Sequence, residues 1–312
     1  MKLLRKTTFK SKADFGFYLT VVALPLAQFL IFYLIVNFNS ILFAFETVDI
    51  TGKHLSWTAD NFVNAWKLMT DKHGELEYAL GNSLTMYFFN LVGGVGLGLL
   101  FSYYISKKMP ASGFFRVLLF MPSIISALVM SRAFLILVNN GVPEFWQKMT
   151  GEKIDGLMAN DSTKFGTLVF YNVLVGFGTS VLMYSNKMMS IDPSISEAAS
   201  LDGATGLKEF WHVTLPQVFS TLQVFLVTGV IGIFSNQFNL LTFLNNWGTD
   251  DPARMKTLGF YLYVYAKDAA AQPNMKEYTP PLAALGLLFT AVAIPLTFGV
   301  KALLEKFGPS EE

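Results

Sequence analysis

Three amide side chains, Asn236, Gln237 and Asn239, fall within four residues of one another in an otherwise apolar stretch. A buried polar group costs free energy unless it is paired, so polar residues set into a hydrophobic run are candidates for a solute pathway. Amides both donate and accept hydrogen bonds, as a hydroxyl-rich solute requires, and an aromatic content of 15% supplies faces on which a ring can stack. Asn82, Ser83, Thr85 and Asn90 form a second polar group, and Asn172, Thr179 and Ser180 a third; Asn82 is the lesser candidate for the path. All of these can equally serve only to bind neighbouring helices. Other chemistry is sparsely provided for. There is no cysteine, hence no thiol nucleophile or thiolate metal site, and no two of the three histidines (His54, His73, His212) stand at metal-ligand spacing. GxxxxGK[ST], GxSxG and HExxH are absent, and no carboxylates pair within an apolar stretch. The sequence therefore predicts no catalytic residue, no metal site and no cofactor held by this chain.

The elements that must position these groups are membrane helices. Of the 312 residues, 53% are hydrophobic and 14% charged, whereas soluble domains carry about 25% charged residues. The net charge of +1 gives no reason to expect nucleic acid as a partner. A bilayer core of roughly 30 Å needs about 20 mostly apolar residues. Six segments qualify, near 16–38, 82–105, 114–138, 165–187, 217–244 and 281–303. The first lacks a small-residue cleavage site and reads as a retained helix. Gly94 and Gly98 form a small-xxx-small pair suited to close helix packing, and Arg132 can snorkel from within the third segment toward water.

Orientation follows Lys and Arg. Lys2, Arg5, Lys6, Lys10 and Lys12 precede the first segment, and Lys107, Lys108 and Arg116 fall on the same side if there are six spans. The opposite side receives Glu46, Asp49, Asp60, Asp71, Glu75 and Glu77. Both termini are expected in the cytoplasm. No repeat or linker divides the chain, so residues 1–312 are expected to form one membrane domain with a cytoplasmic tail over 1–15.

The loop over 188–216, between the fourth and fifth segments, has its own local logic. Asp192 is a good N-cap and Pro193 suits a first helical turn. Ala198, Ala199 and Leu201 favour helix, and Gly203 can end it in a left-handed conformation. Leu207, Phe210, Trp211 and Val213 give a second short helix an apolar side, and Pro216 leads into the fifth segment. Such an amphipathic elbow can dock into another protein.

Glu197-Ala198-Ala199, then Gly203, Val213 and Leu215-Pro216, at this spacing, resemble the EAA signature of ABC importer permeases. Asp202-Gly203-Ala204 with Thr214-Leu215-Pro216 is similar to the carbohydrate-importer branch of maltose and glycerol-phosphate type. Weaker likenesses run in order along the chain: Leu24-Pro25, Asp60-Asn61-Phe62, Gly81-Asn82-Ser83-Leu84, and Met121-Pro122 with Arg132 and Gly141. Phe238-Asn239-Leu240 departs from the usual Phe-Asp, and residues 247–252 depart from the usual Gly-Gly-X-Pro.

The resemblance implies an all-α polytopic fold of six transmembrane helices, of the type I ABC importer permease kind. It implies a coupling helix between the fourth and fifth, with Glu197, Ala198, Ala199, Asp202, Gly203, Leu215 and Pro216 as ATPase-coupling residues. It also implies a cytoplasmic ATPase dimer that binds ATP and Mg, an extracytoplasmic solute-binding protein, a second permease subunit completing a heterodimer, and residence in the inner membrane lipid. The function expected is carbohydrate import, with a polyol, glycerol phosphate or polyamine as the alternative solute. A membrane enzyme, the remote alternative, would need the carboxylates or histidines that are missing.

Overall fold

The computed structural model describes residues 12–49, 53–71, 74–244, 255–271 and 277–309. The basic residues Lys2, Arg5, Lys6 and Lys10, His73, and the 247–252 stretch lie outside the described residues. In chain order the elements are α1 (Gly16–Phe43), β1 (Glu46–Val48), β2 (His54–Trp57), α2 (Asp60–Thr70), α3 (Glu75–Ser106), α4 (Ser112–Ile124), α5 (Ala127–Thr150), α6 (Asp161–Met189), α7 (Pro193–Leu201), α8 (Leu207–Gln217), α9 (Phe219–Ser235), α10 (Leu240–Leu244), α11 (Leu258–Ala271) and α12 (Thr279–Phe307).

Among the described residues, α1, α3, α6 and α12 are long and apolar enough to cross a membrane, and there are up to six spans if the bent pairs α4–α5 and α8–α9 each count as one. All six expected segments are helical, but two of them are broken. In the third, Ile125 and Ser126 are extended, and α5 leaves α4 at 105°. In the fifth, helix ends at Ser235 rather than running on to 244, and resumes only as the short α10. The unbroken helices run a few residues past their expected ends. At 29 residues, α6 is about 43 Å long. Its start is capped by Asn160, whose Oδ1 accepts from Ser162 N at 3.0 Å.

The chain falls into two compact units, residues 1–66 with 266–288, and residues 67–265 with 289–312. In the first, β1 and β2 pair antiparallel with Glu46 opposite Trp57 and a register shift after Thr47. This hairpin lies in what the sequence presents only as a polar loop. Asn61 explains why its motif position is an amide: its buried Nδ2 donates to the carbonyls of Ala44 at 3.0 Å and Glu46 at 2.8 Å, closing the hairpin's base. None of the apolar window of α1 is buried within the chain.

In the second unit, α6 is the central helix. Gly178 lets the backbone of α4 approach so closely that a Cβ there would collide with the Leu119 carbonyl. Ser102 of α3 donates across to Val181 O at 3.0 Å. Packing between α3 and α6 does rest on small residues, but on Gly98 against Ser180 and Gly93 against Val173; Gly94 is buried, yet a Cβ there would meet only Asn90 of its own helix. The apolar clusters among the described residues include one that joins Met86, Phe134, Tyr171, Phe238, Phe243 and Phe260, one that joins Leu99, Tyr103, Tyr184, Met188 and Leu222 to Phe210 of the 188–216 loop, and a smaller one of Ile105, Phe177 and Val181.

Candidate functional site

The 188–216 loop folds as the elbow its residues predict. Asp192 caps α7, its Oδ1 accepting from Ser194 N at 2.9 Å, and these bonds hold the Asp192 carboxyl below the usual carboxylate range. Pro193 occupies the first turn. At the other end Ala204 N donates to Ala199 O at 2.9 Å and Gly203 N to Ser200 O at 3.1 Å. This double bond pattern requires a left-handed residue between, and Gly203 supplies it with φ of 76°. Gly206, at φ 58° and ψ −123°, turns the chain into α8. Pro216 has no N–H to continue the ladder; a π-helical turn over Phe210–Thr214 precedes it, and α9 departs at 73°.

The elbow has two unlike sides. Glu197, Ala198, Asp202 and Gly203 are exposed, while Ala199, Leu215 and Pro216 are half-buried. Leu201, Leu207 and Trp211 are 89%, 66% and 60% exposed beside them, an apolar outer surface on an otherwise polar loop. Among the described residues the Glu197 side chain takes no hydrogen bond or ion pair. The inner side holds a group that sequence reasoning missed. Glu209 is buried and ion-paired with Lys107 at the end of α3. Tyr103 Oη lies 3.1 Å from Glu209 Oε2 and 3.0 Å from Gly206 O, with one proton to donate between them. Lys107 Nζ also donates to Ser196 Oγ of α7 at 3.3 Å. Burial pushes the Glu209 carboxyl up, but hydrogen bonds from Lys107 and Ser196, the Lys107 charge and Tyr103 together bring it below the usual range. It is therefore ionised at neutral pH, and its contribution to stability is lost only as pH falls through this lowered value. The only sequence signal was a carboxylate, Glu209, beside the apolar residues Leu207 and Phe210.

The amide cluster forms a turn rather than part of a helix. Asn236 is extended, and Phe238 and Asn239 are left-handed at φ 49° and 59°. Asn236 Oδ1 accepts from Phe238 N at 2.8 Å. The buried Asn172 of α6 donates to Phe238 O at 2.9 Å and accepts from Asn239 Nδ2 at 2.8 Å. Asn172 was visible as a polar residue in an apolar run, though not as the partner of this turn. Gln237 is half-buried, and among the described residues its amide takes no hydrogen bond from the chain.

Asn82 is brought elsewhere. It donates to Lys256 O at 2.9 Å, while neighbouring Ser83 accepts from Leu258 N at 2.9 Å. The buried Lys256 pairs with Glu75 at 3.0 Å, and Tyr265 donates to the same carboxylate oxygen at 3.0 Å. These bonds tie the start of α11 to the start of α3. Among the described residues no group of three or more histidine, cysteine, aspartate or glutamate side chains could hold a metal ion.

Residues 90–309 match the binding-protein-dependent transport system inner membrane components. The chain belongs to this family. It is thus the membrane component of a transport system and not an enzyme, and the matched residues include the elbow, the amide turn and Asn172. Among relatives of this inner membrane component, the multiple sugar-binding transport system permease protein MsmF of Streptococcus mutans is 25% identical over 296 residues, covering 92% of this chain and 95% of its own. The polygalacturonan/rhamnogalacturonan transport system permease protein YteP of Bacillus subtilis is 26% identical, covering 73% of this chain and 70% of its own. A chain of a bacterial alginate ABC transporter, solved in complex with an alginate pentasaccharide-bound periplasmic protein, shares the fold. It superposes with a TM-score of 0.74 at 19% identity, covering 95% of this chain and 96% of its own.

Proposed function

We propose that this inner membrane component carries a carbohydrate across the cytoplasmic membrane, driven by a separate ATPase that binds ATP and Mg. The observation that carries this reading is the likeness to MsmF, a permease of a multiple sugar-binding system, over 92% of the chain. The amide turn supports it, since Gln237 offers both a donor and an acceptor to a hydroxyl-rich solute. Asn236 and Asn239 shape that turn, and Asn82 borders the path only through its backbone tie to Lys256. Residues 1–312 act as one transmembrane domain, paired with a second, similar permease subunit in a heterodimer. A solute-binding protein delivers the sugar from outside.

The test is reconstitution of the complex with its binding protein. A mono- or oligosaccharide on that binding protein is expected to stimulate ATP hydrolysis and uptake. Stimulation solely by a polyol, glycerol phosphate or a polyamine would overturn the carbohydrate assignment.

The termini and the 188–216 loop face the cytoplasm on this reading, with Glu197, Ala198, Ala199, Asp202, Gly203, Leu215 and Pro216 forming the ATPase-coupling elbow. The exposed apolar residues Leu201, Leu207 and Trp211 give that elbow a surface to bury against the ATPase. Because the chain has no cysteine, a single Ser194→Cys substitution reports sidedness. An impermeant maleimide is expected to label it only after the membrane is opened, and labelling from outside intact cells would reverse the orientation.

A further inference from the structure

We propose that Lys107 and Glu209 form a latch that makes the elbow and α3 move as one body, so that both are positioning residues for transport. The proposal rests on the reading of the elbow as the ATPase-facing loop. The two sides of the elbow carry carboxylates of opposite character. Glu197 is exposed and, among the described residues, without a side-chain partner, whereas Glu209 is buried against the end of α3. Burying a charge pair is an inefficient way to stabilise a fold, because apolar side chains of similar volume do as well or better. What the pair adds here is connection. Lys107 at the end of α3 reaches Ser196 on α7 and Glu209 on α8 at once, and Tyr103, one turn earlier on α3, closes the set through Glu209 and the Gly206 carbonyl. The Tyr103 ring meets Phe210 edge-on at 5.2 Å, so polar and apolar contacts converge on the same joint.

Ser196 and Glu197 are consecutive on α7. A push received at Glu197 therefore reaches Lys107 through the neighbouring side chain. The far end of the same helix, α3, carries Glu75, which holds Lys256 ahead of α11. Displacement of the elbow is thus delivered along one continuous helix to the segment that follows the amide turn.

The test uses the full complex of both permease subunits, ATPase and binding protein in proteoliposomes. The variants are Lys107→Met, Glu209→Gln and the charge-reversed pair Lys107→Glu with Glu209→Lys. Each single change is expected to leave ATPase co-purification intact and to lower uptake per ATP hydrolysed by about tenfold, within the usual range of site-to-site coupling. The reversed pair is expected to regain most of that loss, which a purely structural role would not give. Wild-type uptake per ATP in both single variants, or a loss in the reversed pair as large as in the single ones, would overturn the latch. So would failure of the single variants to bind ATPase, which would make the pair a folding or docking element. Protection of Ser194→Cys from maleimide by the ATPase separates the two readings. Without protection the elbow assignment itself falls; protection together with normal coupling in the variants removes the latch alone.

Discussion

Glu197→Ala is expected to weaken association of the ATPase by about 2–5 kcal/mol, the usual loss when one member of a desolvated interfacial charge pair is truncated. Among the described residues the exposed carboxylate takes no hydrogen bond or ion pair: Ser196 beside it accepts from Lys107, and Ser200 Oγ donates to the Glu197 backbone carbonyl. A carboxylate that merely solvates a surface helix would cost under about 0.5 kcal/mol on removal. Gly203→Pro acts on the same elbow by a different route. Proline is locked near φ −65°, whereas this position sits at φ 76° and its N–H donates to Ser200 O. The elbow's second helix is then misaimed, and hydrolysis is expected to proceed without uptake or the complex to fail to assemble. Pull-down of the ATPase and substrate-stimulated hydrolysis in reconstituted complexes measure both effects. Wild-type results in both assays for the doubly substituted chain would sink the coupling assignment.

Asn172→Leu is expected to cost about 1–3 kcal/mol for each of the two groups it orphans, the Phe238 carbonyl and the Asn239 amide. The turn it supports is strained to begin with, because Phe238 is a bulky residue at positive φ. Without Asn172 the turn is expected to relax, lowering thermal stability in detergent and abolishing uptake together. Gln237→Leu is the contrasting change: it removes an amide that, among the described residues, bonds nothing, so uptake kinetics should shift while assembly and thermal stability hold. Equal stability and uptake in Asn172→Leu and the wild type would remove its supporting role. Unaltered kinetics in Gln237→Leu would take that residue out of the solute path.

Much of this architecture is written in local sequence. The apolar runs locate every long helix, and the elbow follows from Asp192, Pro193 and Gly203, whose cap and left-handed turn are decided by a handful of adjacent residues. What the sequence conceals depends on partners far away. Nothing near Lys107 announces Glu209, 102 positions on. Phe238 is a poor candidate for a left-handed turn on its own account; Asn236 supports it locally, but its carbonyl is met by Asn172, 66 residues earlier. The break at Ile125 and Ser126 has no glycine to mark it; Pro122 stands nearby but lies inside α4. Asn82 shows the converse limit, since an amide in an apolar run fits a solute contact and a backbone tie equally well until its partner is located.

The bond from Glu75 to Lys256 spans 181 residues. At a synthesis rate of about 5–20 residues per second, roughly 10–40 s pass between the emergence of its two ends. For that interval the start of α3 exists without the segment that satisfies it, and Asn82, Ser83 and Glu75 must be hydrated or held by other partners while the intervening helices are inserted. The tie between α3 and α11 is therefore a late event of biogenesis, and a nascent chain stalled short of Lys256 presents to the cell's quality-control machinery a helix end whose polar groups still lack their native partners.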